Sequence, residues 1–189
     1  MLVVFFYKKL IETRKFTLSV TKKVSLKKLD VIMENHQKFI KEAIRMATEN
    51  VPTGKGGPFA ALVVKNGEII GRGVNRVTSH NDPTAHGEIM AIRDACKNIG
   101  HYQLEDCIIY SSCEPCPMCL GAIYWARPKM LVFAAENTDA SKAGFDDSFI
   151  YKEIGLSFDK RKIPTLNIKP EEFFSPFQAW IDLESKRSY

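Results

Sequence analysis

No stretch of the 189-residue chain contains the roughly 18 to 20 continuous apolar residues that a membrane-spanning helix requires. The chain begins with about six apolar residues, which have no charged region before them and no small-residue cleavage site after them. The first absence excludes a multi-span membrane protein, and the second makes a secretory signal a poor interpretation. We therefore expect a cytoplasmic protein without a membrane partner.

Cysteine is scarce, and the number of cysteines is odd. The chain has five, and without an export signal they are not expected to form a disulfide framework. Cys96 and Cys107 lie in apolar surroundings that are typical of buried thiols. The other three, Cys113, Cys116 and Cys119, are spaced three residues apart, and closely spaced cysteines in a reducing compartment more often bind metal or take part in chemistry.

Positive charge is lacking where a nucleic-acid-binding protein would need it. Residues 1–32 contain eight Lys and Arg and only two acidic residues. The rest of the chain has 19 basic and 20 acidic residues, so a basic surface for nucleic acid is not expected there. We interpret residues 1–32 as a basic extension that is flexible or not native, and residues 33–189 as the working domain.

The composition, with 45% apolar and 26% charged residues, is that of one globular domain. Apolar residues recur at three- and four-residue spacings from Asn35 to Asn50, which predicts a helix that ends before Pro52 and Gly54. Asn66-Gly67 lies between two apolar runs and predicts the tight turn of a β-hairpin. The pattern then predicts a helix at 85–98, a strand at 106–110, a helix at 117–125 and a strand at 130–135.

The last fifty residues carry weaker signals. Residues 140–154 are expected to be helical with an irregular start near Gly144, and residues 164–168 are a candidate fifth strand. A last helix is expected over 171–186, with Pro176 marking a helix start. Strands that alternate with helices favour a mixed sheet covered on both faces. The predicted fold class is therefore α/β, in three α/β/α layers.

The strongest functional signal is His86-Gly87-Glu88 followed, about thirty residues later, by Pro115-Cys116-Pro117-Met118-Cys119. One imidazole and two thiolates give a zinc ion three protein ligands and leave its fourth position for water, as in catalytic zinc sites. This pair of motifs is the signature of zinc-dependent deaminases. We predict one Zn²⁺ per subunit, bound by His86, Cys116 and Cys119.

Glu88 is expected to act beside the metal and not as a ligand. A zinc ion lowers the pKa of its water, and a nearby carboxylate can take the proton and deliver it to a ring nitrogen and then to a leaving amine. Pro117 suits the first position of a helix, which would place Cys116 at the N-cap and Cys119 in the first turn. The predicted reaction is a hydrolytic deamination with Glu88 as the proton shuttle.

Two other interpretations of the motif remain. Cys113 extends it to C-x-x-C-x-x-C, which could be a redox or structural metal site, but such a site would leave the His-x-Glu pair unused. A zinc-held scaffold or binding module is a third class of protein, and it would not explain Glu88.

From about Asn35 to the carboxyl terminus, the sequence resembles the guanine deaminases of the cytidine deaminase-like superfamily. The resemblance rests on GGPFAALVV, NDPTAHGEIMAIR, YQLEDCIIYSSCEPCPMCLGAIYWARPK, ENTDASKAGFDDSFIYKEI and SPFQAW. Gly87 departs from the family, which commonly has Ala there, and the basic extension has no counterpart. The resemblance implies a cytidine deaminase-like fold and the zinc-dependent hydrolysis of guanine to xanthine and ammonia.

The resemblance also implies a set of substrate-binding residues. Asn75 and Asp147 match the purine-binding positions of the family, and their amide and carboxylate groups suit that role. Phe59 and Trp125 are candidates to stack on the ring, although plain core packing explains each of them equally well. Tyr189 matches a terminal tyrosine that closes the active site of the partner subunit.

A domain-swapped homodimer follows from the resemblance, with the segment from about residue 171 to residue 189 exchanged between subunits. The closest alternative family is the tRNA adenosine deaminases, which share NDPTAH and PCxMCxGAI with this chain. Another nucleobase or nucleoside deaminase of the same superfamily is also open. The lack of net positive charge after residue 32 disfavours the RNA substrate.

Overall fold

The computed structural model describes residues 26–187, and the chain divides into two compact units, residues 1–34 and 35–189. The first helix, α1 (Leu26–Asn50), begins nine residues earlier than the sequence pattern predicted. Residues 26–34 contain no Pro or Gly and are mostly good helix formers, so nothing in them ends the helix. The proposed extension over 1–32 lies largely outside the described residues, and its boundary stays a prediction.

The described chain after α1 alternates helices and strands. The strands are β1 (Ala60–Lys65), β2 (Glu68–Val74), β3 (Cys107–Cys113) and β4 (Met130–Ala135). The helices are α2 (Val77–His80), α3 (Gly87–Ile99), α4 (Pro117–Ala126), α5 (Asn137–Lys142), α6 (Ser148–Ile154) and α7 (Ser175–Asp182), with 3-10 turns at Val51–Thr53 and Phe158–Lys160. None of the helices described here is both long enough and apolar enough to cross a membrane.

The four strands form one mixed sheet in the order β2-β1-β3-β4. Strand β1 is antiparallel to β2 and to β3, whereas β3 and β4 are parallel. The predicted hairpin is confirmed, since Asn66 and Gly67 connect β1 to β2 with φ angles of 53° and 85°. These left-handed angles are those that a tight hairpin turn requires, and Asn and Gly adopt them at low cost.

Helices cover both faces of the sheet, as the sequence predicted. Side chains of β1 alternate in direction, so Leu62 and Val64 pack with Phe39 and Ala43 of α1. On the other face, Ala61 and Val63 pack in a second cluster together with residues of β3, α3 and α4: Ala91, Ala95, Cys107, Ile109, Ile123 and Ala126. The sheet therefore lies between two apolar layers, which confirms the three-layer α/β/α class.

The segment after β4 departs from the predicted elements. Residues 140–154 form the end of α5 and all of α6, and the chain between these helices passes through Gly144 at a φ angle of 91°. Residues 164–168 are not a strand, because within the described chain no neighbouring strand pairs with them. The last helix is shorter than predicted, and Pro176 lies in its first turn as expected.

Helix α3 lies unusually close to β2, and two glycines make this approach possible. A Cβ atom on Gly73 would lie 2.1 Å from the carbonyl oxygen of Gly87 and 2.2 Å from the backbone nitrogen of Ala91. A Cβ atom on Gly71 would lie 2.6 Å from the carbonyl oxygen of Ala91. Any larger residue on this strand would push the helix away from the sheet.

We therefore predict that Gly73→Ala destabilises the protein by about 1–3 kcal/mol or more, because the atoms in its way belong to the backbone and cannot rotate aside. Urea denaturation of the wild type and the variant measures the change. The matched control is Gly121→Ala in α4, where nothing lies within 4 Å of the added Cβ. That variant should gain up to about 1 kcal/mol from helix propensity. Equal effects at the two glycines would contradict the close-packing account.

Candidate active site

Three potential metal ligands meet where two helices begin. His86 is the N-cap residue of α3, Cys116 is the N-cap residue of α4, and Cys119 lies in the first turn of α4. The ligand atoms of these three side chains all lie within 4.8 Å of one another. Pro117 occupies the first turn of α4, where its fixed φ angle suits the helix and its missing N–H leaves no bond unmade.

The charges of the three side chains are coupled. The hydrogen bond from the Cys119 thiol, with help from His86, lowers the pKa of Cys116 to about 4. The same hydrogen bond, together with burial, raises the pKa of Cys119, and the contact with Cys116 raises the pKa of His86. The Sγ atom of Cys116 lies 3.6 Å from Nδ1 of His86. The contacts among the three groups thus favour the thiolate form of Cys116.

The donor set fits zinc. One imidazole nitrogen and two thiolate sulfurs are the ligands of catalytic zinc sites that keep one position open. Cys113 lies outside this group, since its Sγ atom is directed at the carbonyl oxygen of Glu136 at 3.8 Å and burial raises its pKa to about 11. The arrangement agrees with the ligand set that the motif predicts, and it disfavours the alternative site that includes Cys113.

Glu88 lies next to this group on the first turn of α3. Its side chain is only 5% exposed, and Oε1 accepts a hydrogen bond from the hydroxyl of Ser111 at 3.1 Å. Burial raises the pKa of this carboxyl. Gly87 keeps the turn against the sheet, because a Cβ atom there would lie 2.9 Å from Cα of Ala60. A side chain at position 87 would therefore require the start of α3 to shift away from β1.

A cavity of about 410 Å³ opens beside these residues. His86, Glu88 and Cys116 line it on one side, and three of the four candidate ring contacts within the described chain also line it: Phe59, Asn75 and Asp147. This volume lies at the lower end of the range for small-molecule sites, about 300–1,000 Å³. The cavity thus suits one planar base.

The three candidate substrate-binding side chains in the cavity differ in their surroundings. Asn75 follows β2 and is buried. Asp147 precedes α6, and burial raises the pKa of its carboxyl. Phe59 packs edge-to-face against Phe145, with ring centroids 4.9 Å apart. An amide, a carboxylate and an aromatic ring therefore surround the space next to the metal ligands.

Trp125, another predicted substrate contact, is not brought into this cavity. Trp125 lies on α4 and is 64% exposed, and it lines a different cavity together with Trp180 and Leu183. Tyr189 lies outside the described residues. Stacking by Trp125 and closure by Tyr189 both stay predictions.

Sequence reasoning missed several residues of the cavity. Glu114 directly precedes the P-C-x-x-C motif, lines the cavity and accepts a hydrogen bond from the backbone N–H of Asn137 at 3.1 Å. Phe145 lines it as well. Glu114 could have been found from its place beside the motif, whereas Phe145 carried no signal because its position depends on the irregular turn at Gly144.

Comparisons with known proteins agree with this geometry. Residues 33–135 match the family model described as the cytidine and deoxycytidylate deaminase zinc-binding region. Guanine deaminase of Bacillus subtilis is 59% identical over 155 residues, which is 82% of this chain and 99% of that protein. A crystal structure of guanine deaminase from Bacillus subtilis matches with a TM-score of 0.80 and covers 82% of this chain and 98% of that one.

More distant relatives share part of the chain. A tRNA-specific adenosine deaminase of Buchnera aphidicola is 42% identical over 106 residues, 56% of this chain and 67% of that protein. A structure of guanine deaminase from Nitrosomonas europaea is 29% identical, with a TM-score of 0.55, over 75% of this chain and 70% of that one. The chain belongs to the cytidine and deoxycytidylate deaminase family, whose defining region binds zinc.

Zinc content after single substitutions tests the ligand set. We predict that Cys119→Ser, purified without added metal, loses most of its zinc, because a hydroxyl is a much weaker zinc ligand than a thiolate. Cys113→Ser, the matched control three residues away from the ligand Cys116, should keep about one zinc per chain. Elemental analysis measures both. Loss of zinc from the Cys113 variant alone would contradict the assignment.

Proposed function

We propose that the protein hydrolyses guanine to xanthine and ammonia. The observation that carries the proposal is that His86, Cys116 and Glu88 line the same base-sized cavity as Asn75 and Asp147. Overall, guanine and water give xanthine and ammonia: a C–O bond forms at C2 of the ring, and the bond from C2 to the exocyclic amine breaks. The near full-length similarity to guanine deaminase of Bacillus subtilis supports this substrate.

The cavity would bind the base through complementary polar groups. The carboxylate of Asp147 accepts hydrogen bonds, so it suits the N–H groups of guanine, and the side chain of Asn75 supplies an amide. The ring of Phe59 offers an apolar surface for the flat base. These contacts hold C2 beside the metal ligands, where the reaction takes place.

Glu88 would move the protons. His86, Cys116 and Cys119 would hold the zinc ion, which would supply Lewis-acid activation of a water molecule. The Glu88 carboxylate accepts the proton that the attacking water loses and delivers it to the ring nitrogen next to C2. It then carries the remaining proton of the added hydroxyl to the departing amine, which leaves as ammonia while the C2 oxygen becomes an oxo group. The hydroxyl of Ser111 orients the carboxylate by donating to Oε1.

The charge of the cavity favours a neutral base over a nucleic acid. Four carboxylates line it, from Glu88, Glu114, Asp146 and Asp147, and none of the lining residues in the described chain is Lys or Arg. Phosphate groups are attracted by cationic side chains and repelled by carboxylates. A tRNA substrate is therefore the weaker alternative. A cytoplasmic location is consistent with five free thiols.

The substrate is tested with purified, zinc-loaded protein and a panel of guanine, adenine, cytosine, cytidine and a tRNA anticodon stem-loop, scored for ammonia. We predict release from guanine at a rate at least about 100-fold above that from any other member, which corresponds to about 2.7 kcal/mol in transition-state stabilisation. Ammonia from the stem-loop alone would overturn the proposal.

Glu88→Gln is the control for this assay. The amide keeps the size of the side chain but cannot carry the proton, so turnover should disappear while zinc remains bound. Near-normal turnover in this variant would contradict the shuttle role even if guanine is the substrate.

We further propose that the protein acts as a domain-swapped homodimer. The carboxyl-terminal part of the described chain exposes many large apolar side chains: Ile163, Leu166, Ile168, Phe173, Phe174, Phe177, Trp180, Ile181 and Leu183. None of the residues of α7 is buried. Strand β4 lies at an edge of the described sheet, and Phe133 on it is 41% exposed. Apolar surface of this extent is typical of protein interfaces. A second copy of the chain would cover it.

Exchange of the tail predicts complementation between two defective subunits. Deletion of residues 186–189 should keep zinc and the dimer but sharply reduce guanine turnover, because Tyr189 can no longer close the partner's site. Mixed dimers of this truncated chain with Glu88→Gln should regain activity, since the intact tail of the inactive subunit can close the active site of its partner. The rate of ammonia release, measured on verified mixed dimers, checks this.

The matched control replaces the second subunit by one that carries both Glu88→Gln and the deletion. This mixture has no tail and should show no recovery. Recovery in the control, or its absence in the first mixture, would mean that the tail does not act on the partner subunit.

A further inference from the structure

The side-chain oxygen of Asn75 is fully used inside the protein. Oδ1 accepts hydrogen bonds from the backbone N–H groups of Gly57 at 3.1 Å and of Val77 at 3.2 Å. An amide oxygen has two lone pairs, and these two bonds occupy both of them. Because a backbone N–H can only donate, the atom that faces these groups must be the oxygen, which determines the orientation of the amide.

The nitrogen of the same amide is left for a ligand. Among the residues that the structure describes, Nδ2 of Asn75 makes no hydrogen bond, and no fully buried side-chain nitrogen or oxygen lacks a partner. Nδ2 is therefore open to the cavity that Asn75 lines together with His86 and Glu88. An amide NH₂ group can only donate, so Asn75 can offer a base donors and no acceptor.

Asn50, the last residue of α1, makes hydrogen bonds to the backbone of both Gly57 and Asn75. Its side chain is 3% exposed, and its Nδ2 donates to the carbonyl oxygens of Gly57 at 2.9 Å and of Asn75 at 3.0 Å. Its Oδ1 accepts from Nη1 of Arg76 at 2.6 Å. Asn50 does not line the cavity, so any influence on the base must pass through Asn75 or Gly57.

The segment around Gly57 has no freedom to move closer to or across Asn75. A Cβ atom on Gly56 would lie 2.2 Å from the carbonyl oxygen of Asn75 and 2.7 Å from its Oδ1. The backbone N–H of Asn75 donates to the carbonyl oxygen of Phe59 at 2.9 Å. Backbone thus packs directly on Asn75, and rotation of its amide would break the two hydrogen bonds that Oδ1 accepts.

We propose that Asn50 is a positioning residue that, through Gly57 and the backbone of Asn75, holds the Asn75 amide as a one-way hydrogen-bond donor to the base. The cavity thereby selects purines that carry an acceptor at this edge, either an oxo oxygen or a ring nitrogen without hydrogen. The inference rests on the proposed function, because it describes how that site recognises its substrate.

Asn75→Asp inverts the group that faces the ligand. The aspartate can still accept from Gly57 and Val77, so the fold and the zinc content should not change, but an oxygen replaces the NH₂ group. Calorimetric titration of guanine into zinc-loaded protein that also carries Glu88→Gln should show at least about a 100-fold loss of affinity. Undiminished affinity would overturn the donor-only role.

Three analogues identify the acceptor on the base. 7-Deazaguanine and 3-deazaguanine lack the acceptor N7 or N3, and 6-thioguanine keeps N1–H but replaces O6 by sulfur, which is a weaker acceptor. Protein with Asn75 intact should bind one of them about 10-fold or more weakly than guanine, and Asn75→Ala should bind that analogue and guanine equally. An alanine variant that discriminates as well as the intact protein would overturn the inference.

The role of Asn50 is tested by a double-mutant cycle in guanine binding. Asn50→Ala should weaken binding about 10-fold or more, and adding it to Asn75→Ala should cause no further loss, because both changes remove the same contact with the base. The matched control is Thr53→Ala, which removes a hydrogen bond from the Thr53 hydroxyl to the carbonyl oxygen of Asn50 at 2.6 Å but does not release Asn75. This control should bind guanine as the parent protein does.

Additive losses in the cycle, or equal losses from Asn50→Ala and Thr53→Ala, would overturn the positioning role. If Asn50→Ala fails to fold, Asn50→Asp takes its place, since it keeps the contact with Arg76 and removes both donors. A parent protein that binds no purine would overturn the proposed function itself, and this result is distinguishable because it appears before any variant is compared.

Discussion

Helix α3 lies on strand β2 with glycine and alanine at the contact, so that backbone meets backbone across much of the interface. This approach places the first turn of α3 against β1, next to Ala60, and so determines where His86 and Glu88 can be. Strand β3, which pairs with β1, supplies Ser111 to the Glu88 carboxylate and leads directly into the loop that holds Cys116. A wider gap between helix and sheet would separate the metal ligands of α3 from those of α4.

The site has two parts, which different kinds of structure hold in place. The proposed metal ligands and Glu88 lie at the amino-terminal ends of α3 and α4, where the helix dipoles favour the negative charge of thiolates. The proposed base contacts Asn75 and Asp147 lie in the turn after β2 and in the loop between α5 and α6. The first part is held by regular secondary structure, and the second by side-chain bonds to backbone such as those of Asn50 and Glu114.

Much of this could be predicted from the sequence because the relevant signals are local. Asn66-Gly67 marks its own turn, Pro117 marks the start of α4, and the spacing of His86, Glu88, Cys116 and Cys119 indicates a metal centre without knowledge of the fold. The fifth strand failed as a prediction because residues 164–168 have strand-like composition but no neighbour in the described chain, and a strand exists only through pairing. Asn50 carried no signal, since its partners Gly57 and Asn75 come close only in the folded protein.

The carboxylates of the cavity also bear on how a catalytic cycle ends. Deamination at C2 replaces an amine by an oxo group and adds a ring N–H, so xanthine ionises more readily than guanine. A cavity bordered by Glu88, Glu114, Asp146 and Asp147 is an unfavourable environment for an anion. The arrangement that admits a neutral purine therefore helps to expel the ionised product, and inhibition by accumulated xanthine should weaken as more of it ionises.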